Sequence, residues 1–237
     1  MKKHLFKFLC AGSLMLGASS LQAQKDWNYI SEQNIISKDS LTKDGYKLLF
    51  INKDSSFDNN VKQRLTDAFF TVYPKEAQLY NSNTAKNVIF IIDPEYKGVA
   101  ATAGHIVRFN PEWFHKHPGD IDVVTHEVMH IVQDYGNSNG PGWITEGIAD
   151  YVRFKLGVDN EGAGWKLPDY SSKQNYDNSY RITARFLVWI ESKYRKDFVQ
   201  KMDNVMRTHA YTPSKWKNLT GKTVDELWNE YGKNPLI

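Results

Sequence analysis

Apolar and polar residues follow a strand-like pattern at three places in the first half of the chain. An apolar run at residues 46–51 predicts a strand, and the continuous apolar run at residues 87–92, which an Asp-Pro pair ends, predicts a buried strand. Residues 98–110 are small and alternating, which predicts a hairpin or an edge strand. Residues 24–44 show no regular pattern, and we expect them to be irregular.

Between the first two strands the apolar spacing becomes helical. Asn59 or Asn60 could cap a helix that continues to about Tyr73, because apolar residues recur three or four positions apart at Val61, Leu65, Ala68, Phe69 and Val72. Pro74 is expected to end this helix or to begin a new turn, since proline has no backbone N–H.

From Gly119 onward the pattern is helical. One helix is predicted to open at Asp120 or Asp122 and to continue to about Tyr135, where Gly136 ends it. A Gly-containing loop leads into a second predicted helix at residues 143–156. Further helices are predicted at residues 179–194, 197–209 and 223–231. Strands followed by helices predict an α+β fold, with a small mixed sheet in the N-terminal half and a mainly helical C-terminal half.

The first residues have the composition of a cleavable secretory signal. Three lysines precede a short apolar run, and small and polar residues lead to Ala23, after which we predict cleavage. The apolar run is too short to cross a bilayer, and no later stretch approaches that length. We therefore expect residues 1–23 to be a signal peptide and residues 24–237 to be a single domain, exported to the periplasm or the extracellular space.

Loss of the signal peptide would remove both the net charge and the cysteine. The chain has 30 Lys+Arg and 27 Asp+Glu, and the signal peptide takes three lysines and no acid, which leaves 27 of each. A neutral chain without a basic stripe gives no reason to expect nucleic acid as a partner. Cys10 is the only cysteine, so the exported domain would have no disulfide and no thiolate metal ligand.

The central chemical motif is His126-Glu127-Val128-Met129-His130. Residues four apart lie on the same face of a helix, so the imidazoles of His126 and His130 can reach one metal ion. Imidazoles suit zinc, and Glu127 lies beside the ion, where it could accept a proton from metal-bound water. The same five-residue pattern also arises by chance in helices that bind no metal, so a third ligand has to support it.

Glu146 is the best candidate for that ligand. The metzincin arrangement is excluded, because Gly136 and Gln133 occupy the positions at which it has its third histidine and its glycine. Glu146 follows a Gly-Pro-Gly turn that could bring a second helix alongside the first, and Gly147 would let helices approach closely. Asp150 lies one helical turn further, where its carboxylate could accept the outer N–H of a zinc-bound imidazole. The alternative is that these two acids form a solvated acidic face.

Residues 126–152 closely resemble the plant basic secretory protein family and its bacterial relatives, which are classed as gluzincin-type metallopeptidases. The resemblance covers residues 85–231, and its further matches are the run EGIADYVR at residues 146–153, Tyr180, residues 183–187 and residues 221–228. It implies a zincin or thermolysin-like fold and a catalytic glutamate, at Glu127. It also implies a zinc site of two histidines and one glutamate, which match His126, His130 and Glu146.

In gluzincins a tyrosine or histidine on a downstream helix usually stabilises the negative charge that develops on the substrate carbonyl oxygen. Tyr180 is the candidate for this role and Tyr176 is its competitor, although Tyr180 could equally be a structural aromatic residue. Arg185 could instead be a structural partner of Asp150 or Glu146.

The remaining candidates concern the cleft and the core. Residues 98–110 are expected to form the upper wall of a cleft, where an edge strand could pair with an extended peptide, although an ordinary hairpin is the alternative. No supporting context makes ligands of the other histidines, His105, His115, His117 and His209. Three tryptophans at helical apolar spacing are expected in the core, namely Trp143, Trp189 and Trp228.

Three functions are compatible with these residues. We expect a secreted zinc metallopeptidase that hydrolyses peptide bonds in a peptide or protein, with Zn²⁺ as cofactor and as a monomer. The alternative is a non-catalytic zinc-bearing module that binds protein or glycan at a surface or in the periplasm. Glu127 argues against that alternative, because a structural site needs no base beside it. A zinc-dependent hydrolase for another kind of substrate is the third interpretation.

Overall fold

The structure, a computed structural model, describes Trp27 and residues 29–237. The chain divides into two compact units, residues 1–33 and residues 34–237, and the second contains the features discussed below. The predicted signal peptide lies outside the described residues. Among the helices that are described, none has both the length and the apolar character that a membrane span requires.

One mixed sheet contains five strands, namely β1 (Ser37–Lys43), β2 (Tyr46–Asn52), β3 (Asn87–Ile92), β4 (Ala100–Ala103) and β5 (Ile106–Phe109). Their order across the sheet is β1-β2-β3-β5-β4. Strand β2 pairs in parallel with β3, and β3 in parallel with β5, whereas the outer strands β1 and β4 pair antiparallel with their neighbours. The apolar runs detected in the sequence form the buried centre of the sheet.

Strand β1 corrects the prediction that residues 24–44 are irregular. It pairs with β2 from Ser37↔Asn52 to Lys43↔Tyr46, and the Asp-Gly turn between the strands has positive φ at both residues, as a tight hairpin requires. Almost every β1 residue is exposed. An edge strand with two solvated faces has no apolar alternation, so only the turn could have predicted it. The hairpin predicted at residues 98–110 is confirmed, with β4 at the edge of the sheet.

Eight α-helices are described in residues 34–237, and most follow the sheet in sequence. They are α1 (Asn59–Leu79), α2 (Pro111–Lys116), α3 (Val123–Gln133), α4 (Gly142–Leu156), α5 (Tyr180–Lys193), α6 (Phe198–Arg207), α7 (Ser214–Thr220) and α8 (Val224–Lys233). The two short helices α2 and α7 were not predicted. Except for α1, the other helices begin and end within a few residues of their predicted bounds. The predicted α+β fold is confirmed.

Helix α1 corrects two expectations. Its cap is Asp58, whose carboxylate accepts from the backbone N–H of Asn60 at 2.6 Å. The helix continues through Pro74 to Leu79 instead of ending near residue 73. In the turn after the proline Glu76 and Ala77 are buried, and α1 packs against α3. Core packing thus outweighs the one hydrogen bond that proline removes.

Helix α3 is buried among three other elements. It contacts α1, α4 and the edge strand β4, and ten of its eleven residues are buried. His130 is the one residue of this helix that is only partly buried, and it lines a cleft together with His126 and Glu127. Trp189 is buried in the core as predicted, whereas Trp143 and Trp228 are partly buried and pack against the margin of the core.

Candidate metal centre and cleft

Three side chains from two helices converge on one point. His126 and His130 of α3 have their Nε2 atoms 3.2 Å apart, and their rings pack edge to face. Glu146 of α4 places Oε2 at 3.2 Å from the His126 Nε2 and at 3.5 Å from the His130 Nε2. The donor atoms all lie within 4.8 Å of one another, so these residues could hold a single metal ion. Their assignment as ligands stays a prediction.

The outer nitrogen of each imidazole is held by a further side chain. His126 Nδ1 lies 2.7 Å from Asp150 Oδ1, and His130 Nδ1 lies 2.7 Å from Gln133 Oε1. Such partners fix the orientation of metal-binding imidazoles and leave Nε2 for the ion. Asp150 thus lies beside the outer nitrogen of one imidazole, as predicted. In the sequence Gln133 is a departure from the metzincin pattern, and its spacing of three residues from His130 on the same helix is the sign of this contact.

Gln133 also joins the two helices. Its Nε2 donates to the main-chain oxygen of Thr145 at 2.9 Å, one residue before Glu146. One side chain therefore orients His130 and fixes the start of α4 beside the end of α3. The Gly-Pro-Gly turn between the helices makes this close return possible.

The centre is electrostatically suited to a positive charge. Burial opposes protonation of His126, but its hydrogen bonds to Asp150 and Glu146 outweigh burial and raise its pKa to about 10. Burial likewise acts against ionisation of Glu146, yet hydrogen bonds from His126 and His130 hold the pKa of this carboxyl well below its usual range. Both shifts in pKa have the direction expected where a positive charge at His126 is favoured by acidic neighbours.

Glu127 lies beside this group and is almost completely buried. Its carboxylate Oε2 accepts a hydrogen bond from the Thr102 hydroxyl at 2.7 Å, and the same hydroxyl lies 2.9 Å from the Glu127 main-chain oxygen. Thr102 belongs to the edge strand β4. Nothing in the sequence predicts this contact, since threonine on a short alternating strand has no motif of its own.

The two candidate tyrosines have different surroundings. The Tyr180 ring is nearly parallel to the His126 ring with centroids 6.0 Å apart, and Tyr180 is 54% exposed. Glu146 is the main cause of the raised pKa of Tyr180, so its hydroxyl keeps its proton. The Tyr176 hydroxyl instead donates to Asp225 at 3.0 Å, and its ring packs against Trp143. Tyr180 is the one beside the centre, although its role stays a prediction.

Two other expectations are corrected in detail. Arg185 does not pair with Asp150 or Glu146, because it donates to the main-chain oxygen of Pro235 at 3.0 Å. Gly147 does allow a close helix approach, but the neighbour is α5. A Cβ at Gly147 would lie only 2.2 Å from the Thr183 Cγ2 atom. The helix that begins with Tyr180 is thereby held against the helix that carries Glu146.

The centre opens into a cleft of about 1130 Å³. One wall is formed by residues 98–102, as predicted for the upper wall, and includes part of β4. The lining also contains aromatic rings: the Trp113 and His117 rings lie 4.1 Å apart, and the Arg153 guanidinium lies 4.6 Å from the Trp165 ring centroid. No histidine other than the pair on α3 joins the candidate metal group within the described residues. The cleft is large enough to receive several residues of an extended peptide.

Comparison with known proteins places the chain in a family. Residues 46–231 match the family described as "Peptidase of plants and bacteria". The chain belongs to this family. The resemblance to the plant basic secretory proteins and their bacterial relatives is thus confirmed. No curated protein matches the chain.

Several solved structures resemble this peptidase-family chain. The aminopeptidase N family protein from Idiomarina loihiensis has a TM-score of 0.50 at 10% identity, over 82% of this chain and 46% of that chain. An M1 zinc metallopeptidase from Deinococcus radiodurans has a TM-score of 0.41 at 11% identity, over 84% and 47%. A mutant M1 zinc metallopeptidase from the same organism, bound to a Tyr-Ser-Ala substrate, has a TM-score of 0.44 at 12% identity, over 79% and 45%.

At these identities the likeness concerns the fold alone, and the peptidase-family chain spans a little under half the length of each of those proteins. The predicted zincin-like fold is confirmed.

Proposed function

We propose that this protein is a zinc metallopeptidase that hydrolyses peptide bonds. His126, His130 and Glu146 would hold the ion and Glu127 would act as general base. The observation that carries the proposal is the convergence of three donor atoms within 4.8 Å, with a carboxylate next to them on α3 and a cleft in front. The peptidase family to which the chain belongs supports the same reaction class.

The donor set fits catalytic zinc. Two imidazole nitrogens and one carboxylate oxygen are a known ligand set of zinc peptidases, whereas structural zinc sites have four protein ligands. In the described part of the chain no fourth histidine, cysteine or acidic residue joins the group. The raised pKa of His126 and the lowered pKa of Glu146 support a site that stabilises a positive charge. These residues therefore suit a divalent cation with one position left for water.

The protein's own groups would then perform the proton transfers. Zinc, when bound, would lower the pKa of a coordinated water to about 7. Glu127 would accept the proton of the attacking water and pass it to the leaving amine. The Tyr180 hydroxyl would donate a hydrogen bond to the carbonyl oxygen as negative charge develops there. Glu146 raises the pKa of Tyr180 and so keeps this donor protonated.

The substrate would bind as an extended strand. Strand β4 is the outer strand of the sheet, and only its β5 side is paired within the sheet. Backbone groups on its free side can hydrogen-bond an extended peptide that lies in the cleft. We therefore infer that the substrate is a peptide or a protein segment without fixed secondary structure.

We also propose that residues 1–23 are a signal peptide and that residues 24–237 form the exported peptidase domain. The lysine-rich start and the following apolar run support this proposal. Mass measurement of the protein recovered outside the cytoplasm tests it, and an intact N-terminus on that protein would contradict it.

A Glu127→Gln variant tests the function. The amide cannot accept the proton, so we expect this variant to keep zinc and to lose nearly all hydrolysis, by a factor of about 10² or more. The measurement is digestion of a peptide library, read by mass spectrometry with and without chelator, together with metal analysis. Glu112→Gln makes the same change at an exposed glutamate of α2 and serves as the control.

Two results would contradict the proposal. Zinc-loaded protein without chelator-sensitive cleavage would indicate a binding module. Full activity in Glu127→Gln would remove Glu127 from the mechanism.

A further inference from the structure

The general base is held by one side chain from a distant part of the sequence. Thr102 donates from the middle of β4, where it pairs with Val107 of the neighbouring strand, and its Oγ1 lies 2.7 Å from Glu127 Oε2. No other described side chain forms a hydrogen bond or an ion pair with this carboxylate. The contact therefore decides how the carboxylate is oriented.

The hydrogen bond divides the two carboxylate oxygens of Glu127 into different roles. A carboxylate has acceptor capacity on both oxygens, and a hydroxyl has a single proton to donate. With Oε2 held by Thr102, Oε1 has no protein partner among the described residues and is left to accept a proton from substrate water. A glutamate side chain without such a contact samples several rotamers, most of which would direct both oxygens elsewhere.

The same hydroxyl joins the base to the wall of the cleft. Thr102 Oγ1 also lies 2.9 Å from the Glu127 main-chain oxygen, and β4 packs directly on α3. The strand that lines the cleft and the helix that carries the base are therefore fixed to each other at the catalytic residue. A peptide paired with β4 would lie at a set distance from the carboxylate, which is the condition for efficient proton transfer.

We propose that Thr102 is a positioning residue, which orients Glu127 through this hydrogen bond and sets the substrate strand relative to the base. This inference rests on the proposed function, since it assigns Thr102 a part in the same reaction. His126 and His130 have corresponding partners in Asp150 and Gln133. With Thr102 as the partner of Glu127, each of the three polar side chains of the motif has one orienting contact.

Three variants test the proposal. Thr102→Val keeps the shape and the strand preference but removes the hydroxyl, whereas Thr102→Ser keeps the hydroxyl. Thr42→Val makes the same change at an exposed position of the other edge strand and is the control. For zinc-loaded protein we expect Thr102→Val to lower kcat about 10- to 100-fold with KM changed less than about threefold, and Thr102→Ser to restore most of kcat.

A second measurement does not depend on activity. Crystal structures of the zinc-free wild type and of Thr102→Val should show Glu127 in one rotamer in the former and in several in the latter. A single unchanged Glu127 rotamer in the variant overturns the inference, and so does a kcat within twofold of an active wild type.

The two measurements also separate this inference from the proposed function. If the wild type binds zinc but cleaves nothing, the proposed function fails, and the crystal comparison still decides whether Thr102 orients Glu127. If Thr102→Val and Thr102→Ser lose activity and thermal stability together while Thr42→Val keeps both, the role of Thr102 is structural and the inference is wrong.

Discussion

Asp150 provides the sharpest test of how the proposed metal centre is built, because one carboxylate orients one proposed ligand. Its Oδ1 atom lies 2.7 Å from Nδ1 of His126, and both side chains are nearly buried, with exposed fractions of 7% and 11%. Asp150→Ala removes the acceptor and leaves the outer nitrogen of His126 without this contact. Asp150→Asn keeps an oxygen acceptor in place and removes only the charge.

The expected effect on metal affinity follows from this geometry. A carboxylate that orients a metal-bound imidazole and raises its basicity contributes about 10- to 100-fold to affinity, or about 1.4–2.7 kcal/mol. The Asp150 contact is short, buried and charge-assisted, so Asp150→Ala belongs at the upper end of this range. Asp150→Asn retains part of the orientation, and we expect a loss of about tenfold or less.

Competition with a chromophoric chelator at fixed pH measures these affinities. Asp169→Ala replaces an exposed aspartate and should bind zinc as tightly as the wild type. Thermal denaturation of each metal-free protein shows whether a variant has lost affinity merely by unfolding. Unchanged zinc affinity in a folded Asp150→Ala protein would refute the reasoning, since His126 would then need no partner to serve as a ligand.

Two further predictions concern Tyr180 and the buried Glu76. Tyr180→Phe should lower kcat by about 10²-fold or more with zinc content unchanged, as loss of one oxyanion donor does. Tyr176→Phe should leave kcat unchanged, and equal rates for Tyr180→Phe and the wild type would exclude the donor role. Glu76 is fully buried, and neither of its oxygens has a hydrogen-bond partner in the described part of the chain.

Burial raises the pKa of Glu76 well above its ordinary value of 4.5, so the folded protein binds a proton that the unfolded chain releases. The free energy of unfolding therefore falls as pH rises above about 4.5, by up to about 1.4 kcal/mol per pH unit. Glu76→Gln should remove this decline. Urea denaturation at pH 5 and pH 7 checks it, and an equal pH dependence in both proteins would contradict it.

The local parts of the site were predictable because helix geometry alone determines them. His126 and His130 are four residues apart, and so are Glu146 and Asp150, so each pair lies on one helix face wherever the helix is placed. A short turn with two glycines then limits how far apart the two helices can be. Sequence spacing is sufficient in such a case, and the three proposed ligands meet as predicted.

The other contacts were not predictable, because tertiary packing selects them. Thr102 lies 25 residues before Glu127 on a different kind of element, and no local rule links an edge-strand threonine to a helical glutamate. The same holds for Glu76, whose burial depends on a helix that continues past Pro74. Local sequence preference predicted an end to that helix, and packing against α3 overrode it.

Each of the three polar side chains of the motif on α3 is thus held by one further side chain. Asp150 holds His126 from α4, Gln133 holds His130 from within α3, and Thr102 holds Glu127 from β4. Hydrogen bonds to acidic partners raise the pKa of His126, so this point of the structure favours a positive charge. A zinc ion, as proposed, would bring that charge to imidazoles whose outer nitrogens are held by further side chains.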